Sequence, residues 1–115
     1  MSPLDRLRDA LRAFVAEREW ARFHSPKNLA MALSVEAAEL LEVFQWMDGA
    51  DSRNLDAAAK AAASEEIADV LLYLILLCDA LGIDPIAAAE RKIIDNARKY
   101  PVEKARGTSK KYTEL

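Results

Sequence analysis

The sequence predicts an all-α protein, a four-helix bundle that assembles as a dimer or tetramer. Three observations predict this. Ala and Leu dominate, while the 115 residues hold only three Gly and four Pro, a mix that favours helix nearly throughout. Apolar residues recur at helical spacing, as in Leu29, Leu33, Leu40, Val43 and Met47. From Ile67 to Leu77 the chain is apolar on almost every side of a helix, more than one small four-helix layer covers, so a second subunit is expected on the far face. The length fits a single domain, 1–115, that needs no disulfide to hold its core.

The first helix is predicted to start with Ser2 as N-cap and Pro3 at the first helical position, with Asp5 near the positive helix end. Its apolar face is Leu4, Leu7, Leu11, Phe14 and Val15, and it runs to about Arg18. Trp20, Phe23 and His24 crowd a connector that ends at Ser25-Pro26, again an N-cap followed by a first helical residue. The second helix is predicted from Pro26 to Met47, with Gly49 as a left-handed cap, followed by a turn-like loop from Asp48 to Asn54. A third helical region begins near Asp56 with the weakly patterned run 57–63, helical or partly mobile, and sharpens into a helix from Ser64 to Leu81 that Gly82 ends. Asp84-Pro85 opens the fourth helix, with Ile86, Ala89, Ile93 and Ala97 on its face. Tyr100-Pro101 closes it, because proline disfavours a helical residue before it. Residues 102–115 are poor in apolar side chains and read as extended or disordered unless a ligand or partner orders them.

The net charge of −3 conceals an asymmetry. Residues 98–115 carry six Lys or Arg against two Glu, a surplus of +4, which leaves −7 on the first 97. An acidic body with a basic tail can hold a divalent cation with one part and a polyanion with the other; a merely solvated tail is the alternative. The single cysteine, Cys78, lies in an apolar run and forms no intramolecular disulfide, which fits a reducing, cytoplasmic setting. The N-terminus lacks an apolar signal core, so no export is expected. The run from Ile67 to Ile83 contains Asp69 and Asp79 and is too short for a membrane span of about 20 residues.

Two carboxylate pairs interrupt this pattern. Glu36 falls on the apolar stripe of the second helix, three residues after Leu33 and four before Leu40, with Glu39 one turn on. Glu66 and Asp69 have the same spacing on the third helix. Residues three apart share a face, and antiparallel neighbours would bring the two pairs together as four carboxylates. Such a cluster repels itself unless cations neutralise it, and oxygen-only ligands suit Mg²⁺ or Mn²⁺. A di-iron bundle needs Glu-x-x-His on two helices, whereas the only histidine, His24, lies outside both pairs. Tyr73 follows Asp69 by one turn, towards the same side, and Trp46 lies ten residues after Glu36. Stacking a base on such rings contributes roughly 1–3 kcal/mol, although Trp20, Trp46 and Tyr73 are equally readable as core aromatics.

Several of these stretches occur together in one known family. Phe23-His24-Ser25-Pro26-Lys27-Asn28-Leu29, Glu36-Ala37-Ala38-Glu39-Leu40, Phe44-Gln45-Trp46, Glu65-Glu66-Ile67-Ala68-Asp69-Val70-Leu71-Leu72-Tyr73-Leu74, Lys99-Tyr100-Pro101, Arg106-Gly107 and Lys111-Tyr112 together resemble the MazG-like all-α nucleoside triphosphate pyrophosphohydrolases, most closely their dCTP pyrophosphatase branch. One departure is Val35, where many MazG proteins have a further Glu. The resemblance implies Mg²⁺-dependent hydrolysis between the α and β phosphates of a nucleotide such as dCTP or a modified dCTP, releasing a monophosphate and pyrophosphate. It assigns Glu36, Glu39, Glu66 and Asp69 to the metal, with Glu39 as a guess for the base that accepts the proton of water. It also implies that His24, Trp46 and Tyr73 approach base or sugar, and that Asn96, Lys99 and Tyr100 touch phosphate or sugar. Lys110 and Lys111 would close over the triphosphate. The expected partner is a nucleoside triphosphate, with neither a nucleic acid polymer nor a membrane. A MazG-like enzyme for another nucleotide and a catalytically silent helical module are the alternatives.

Overall fold

A computed structural model describes all residues from Met1 to Leu115 and contains helices without strands. The long helices are α1 (Pro3–Glu17), α2 (Pro26–Phe44), α4 (Ala57–Leu81) and α5 (Pro85–Lys99). Two four-residue helices, α3 (Gly49–Ser52) and α6 (Val102–Ala105), and 3₁₀ turns at Ala21–Phe23 and Tyr112–Glu114 complete the chain. The four predicted helices are thus present, and six are observed. The chain forms two compact units, Met1–Gly82 and Ile83–Leu115.

Helix starts follow capping chemistry. Ser2 and Asp5 form a capping box: the Asp5 N–H donates to Ser2 Oγ at 3.1 Å and the Ser2 N–H donates to the Asp5 carboxylate at 3.3 Å. Ser25 Oγ accepts the Asn28 N–H, and Asp56 Oδ1 accepts the Ala59 N–H at 2.8 Å. Asp84 accepts from Ile86 and Ala87.

The boundaries correct the sequence reading in two places and settle a third that it left open. The second helix ends at Phe44 instead of Met47, and Asp48 caps a new helix that begins at Gly49, which is therefore no left-handed cap. The third helical region begins at Ala57 next to Asp56, as expected, and the open run 57–63 is helical, because the Asp56 cap and the high helix propensity of alanine carry the helix through it. The tail is not extended: it holds α6 and the 3₁₀ turn.

In the first unit α2 packs along α4, and α1 packs on α4. Leu29 shares a groove with Leu76, whereas Glu39, ten residues further along α2, meets Glu66, ten residues back along α4. This pairing makes the two helices antiparallel. Val15, Leu29, Ala63 and Ile75 are the buried apolar side chains, with Leu29 only 2% exposed. Arg12 on α1 clamps Asp79 on α4 through both oxygens, with Nε to Oδ2 at 2.8 Å. Also on α4, Ile67, Leu71, Leu74 and Leu81 remain exposed. No single helix is long and apolar enough to cross a membrane.

Candidate metal centre

Glu36 and Glu39 stand one turn apart on the face of α2 that packs on α4, and Glu66 faces them from α4. All three are half-buried, and one carboxylate oxygen from each lies within 4.8 Å of the others. No lysine or arginine pairs with any of them, and Glu36 Oε2 and Glu66 Oε2 are buried without a hydrogen-bond partner. A buried carboxylate oxygen without a partner is costly. Without a cation, that cost favours the protonated, neutral form. The Glu36 carboxyl is pushed up to about 7, first by sharing its proton with Glu39, then by burial and by the charges of Glu39, Asp69 and Glu66. The Glu66 carboxyl is raised as well, chiefly by burial and then by the Glu39 and Asp69 charges.

Three converging carboxylates with two unsatisfied buried oxygens, and no nitrogen or sulfur donor, fit a hard divalent cation such as Mg²⁺ or Mn²⁺. Asp69, the fourth carboxylate expected from the sequence, is exposed and stands outside this group of three. Its charge still acts on Glu36 and Glu66, so it flanks the centre.

The remaining expected residues spread along the chain. Tyr73 is half-buried on α4, one turn beyond Asp69. Trp46 is 90% exposed, just beyond the end of α2. His24 lies before the start of α2, in a groove of about 270 Å³ walled by Arg12, Val15, Leu29, Leu76 and Asp79. At about 1.5 Å per residue, α2 sets His24 and Trp46 some 30 Å apart, so one chain does not bring them to one base. Asn96, Lys99 and Tyr100 belong to the second unit, at the end of α5. There Tyr112 packs edge-on against Tyr100, with centroids 6.0 Å apart, and its ring faces the Lys99 ammonium at 5.0 Å.

Sequence reasoning missed two side-chain roles. The Arg12–Asp79 clamp joins residues 67 positions apart; its signal was a carboxylate within an apolar run, which requires a partner. The contacts of Tyr112 had no signal in spacing, because they depend on how the tail turns back.

An all-helical chain with an oxygen-only carboxylate centre between antiparallel helices has known counterparts. The sequence profile of the MazG-like family matches residues 31–115, and the chain belongs to that family. The dCTP pyrophosphatase 1 of Homo sapiens is 44% identical over 104 residues, covering 89% of this chain and 61% of the human protein. Its Rattus norvegicus counterpart is 41% identical over the same shares. The chain therefore spans about three fifths of the length of these curated relatives. A crystal structure of a pyrophosphatase from Archaeoglobus fulgidus is 46% identical and superposes with a TM-score of 0.79, covering 88% of this chain and 94% of that one.

Proposed function

We propose that this chain is a Mg²⁺-dependent nucleoside triphosphate pyrophosphohydrolase that converts dCTP, or a base-modified dCTP, and water to the monophosphate and pyrophosphate. The observation that carries this reading is the Glu36–Glu39–Glu66 centre with its unsatisfied buried oxygens. The names of the human and rat relatives support dCTP as the substrate. Glu36, Glu39 and Glu66 would hold Mg²⁺ or Mn²⁺, with Asp69 adding negative charge beside them. The ion supplies neutralisation of the phosphate oxygens and a lowered pKa for the attacking water. Glu39 would accept the proton of the attacking water. Tyr73, Trp46 and His24 bind the nucleoside, while Asn96, Lys99 and Tyr100, with Lys110 and Lys111, bind sugar and phosphate.

His24 and Trp46 stand at opposite ends of α2, so their joint contact with one base requires two copies of the chain. The exposed Ile67–Leu71–Leu74 stripe supports such a homodimer or homotetramer. Clearing unwanted nucleotides from the precursor pool is the role proposed for this chemistry, with the cytoplasm as the proposed setting. The test is a panel of nucleoside triphosphates with Mg²⁺. Release of pyrophosphate, fastest from a deoxycytidine nucleotide, is expected. Preference for a different base would move the specificity, and the absence of release from every nucleotide would leave a silent helical module.

A further inference from the structure

The second unit carries a corner that the sequence reading left unexplained. α5 ends at Lys99, Tyr100 leaves helical geometry, and Pro101 stands at the N-cap of α6. The chain then reverses. Gly107 takes a left-handed φ of +75°, the Thr108 N–H donates to the Ala105 carbonyl at 3.2 Å, and the Lys110 N–H donates to Thr108 Oγ1 at 3.3 Å. The 3₁₀ turn at Tyr112–Glu114, closed by Glu114 N–H to Lys111 O at 2.8 Å, returns the Tyr112 ring to the end of α5. There it meets Tyr100 edge-on and Lys99 over its face.

The kind of restraint matters. A carboxylate would fix the Lys99 ammonium but cancel its charge, whereas an aromatic face restrains a cation and leaves its charge intact. Lys99 has no acidic partner; the ion pair at this helix end is Arg98 with Asp95, at 3.8 Å. Arg98, Lys104, Arg106, Lys110 and Lys111 lie on the same short segment and add positive charge. The fold thus orders a lysine in advance, with its charge unspent, beside an aromatic ring that is itself held in place.

We propose that Tyr112 is a positioning residue, whose ring holds Lys99 and Tyr100 as a preformed corner for the phosphate and sugar of the nucleotide. This rests on the pyrophosphohydrolase reading above. The corner lowers the entropy lost when a polyphosphate is bound, so its removal weakens binding and leaves the chemical step alone.

The test compares wild type, Tyr112→Ala and Tyr112→Phe, each with helicity checked by circular dichroism. Tyr112→Ala is expected to raise KM for dCTP by about two- to fivefold, the size of an exposed cation–π contact, with kcat held within about twofold. Tyr112→Phe keeps the ring and restores KM. Calorimetric titration with inorganic tripolyphosphate reads the same corner without turnover, and about the same two- to fivefold weakening is expected in Tyr112→Ala. Unchanged affinity in that titration, or a KM that stays constant or falls, overturns the inference; a falling KM would make the tail a cover that ligand must displace. Wild type that releases no pyrophosphate defeats the hydrolase reading, whereas active wild type with an indifferent Tyr112→Ala defeats this inference alone.

Discussion

At the scale of single residues, Glu36 couples folding, protons and metal. Its folded carboxyl is raised to about 7 from an ordinary 4.5. Between those values the folded state holds a proton that the unfolded chain has released, so stability falls as pH rises through this window. The metal-free protein should therefore lose thermal stability from about pH 5 to about pH 7.5, and Glu36→Gln, which cannot ionise, should flatten that slope. A loss of ~1 kcal/mol corresponds to roughly 4–8 °C in a domain of this size. Mg²⁺ competes with the proton for the same oxygens, so its stabilising shift should be larger at pH 8 than at pH 5.5. Equal shifts at both pH values, measured by thermal denaturation, would contradict a carboxylate-held ion. The neighbouring carboxylates divide by position. Glu39→Gln or Glu66→Gln should lower kcat by about two orders of magnitude or more, the scale of losing an aimed charge from a reaction centre. The flanking Asp69→Asn should act mainly on the Mg²⁺ concentration needed for half-maximal rate, by roughly 10–100-fold.

At the scale of elements, the end of α1 shows how a helix is stopped at a conformational cost. The Glu19 N–H donates to Ala16 O and the Trp20 N–H to Val15 O, both at 3.1 Å, and Trp20 packs edge-on against Phe14. This is a Schellman closure with its apolar contact, yet its left-handed position holds Glu19, with φ 54°. A left-handed non-glycine residue costs roughly 1–2 kcal/mol, and glycine adds about 0.5–1 kcal/mol of entropy loss on folding. Glu19→Gly should therefore stabilise the chain by about 0.5–1 kcal/mol in urea titration; a destabilised variant would show that the Glu19 side chain contributes more than its backbone costs. The elements also show what the sequence made legible. Ser2, Ser25 and Asp84 announced helix starts because a cap acts within three residues, and the Glu36–Glu66 meeting followed from helix period and antiparallel pairing. Whether the 57–63 run of α4 is helical or mobile stayed open because an alanine run has propensity but no pattern. The Arg12–Asp79 clamp and the return of Tyr112 were obscure because long-range packing sets them. The exposed position of Asp69 beside the group of three was not readable, because i, i+3 spacing fixes a face without fixing how far a side chain on its edge turns towards solvent.

At the scale of the whole molecule, the problem is apolar surface that a single chain leaves bare. Ile67, Leu71 and Leu74 follow one another at four- and three-residue steps on α4, with Leu81 seven residues further on, and Met31 and Val35 are four apart on α2. Burial of such side chains contributes about 1.5–3 kcal/mol each, and a contiguous stripe marks an association surface. A two-fold partner uses the same stripe on both copies, and an antiparallel pairing sets the start of one α2 near the end of the other. That arrangement answers the separation of His24 from Trp46. Leu71→Lys should reduce the mass in light scattering towards that of one chain, and should raise KM with helicity retained. A sharper consequence concerns mixed assemblies. If each site takes His24 from one copy and Trp46 from the other, His24→Ala and Trp46→Ala chains, each weak alone, recover activity when mixed and reassembled. A random one-to-one mixture of a dimer makes about half of its molecules mixed, each with one intact and one doubly altered site, so about a quarter of wild-type activity returns. Mixtures that stay at the level of the separate variants would place His24 and Trp46 outside a shared site.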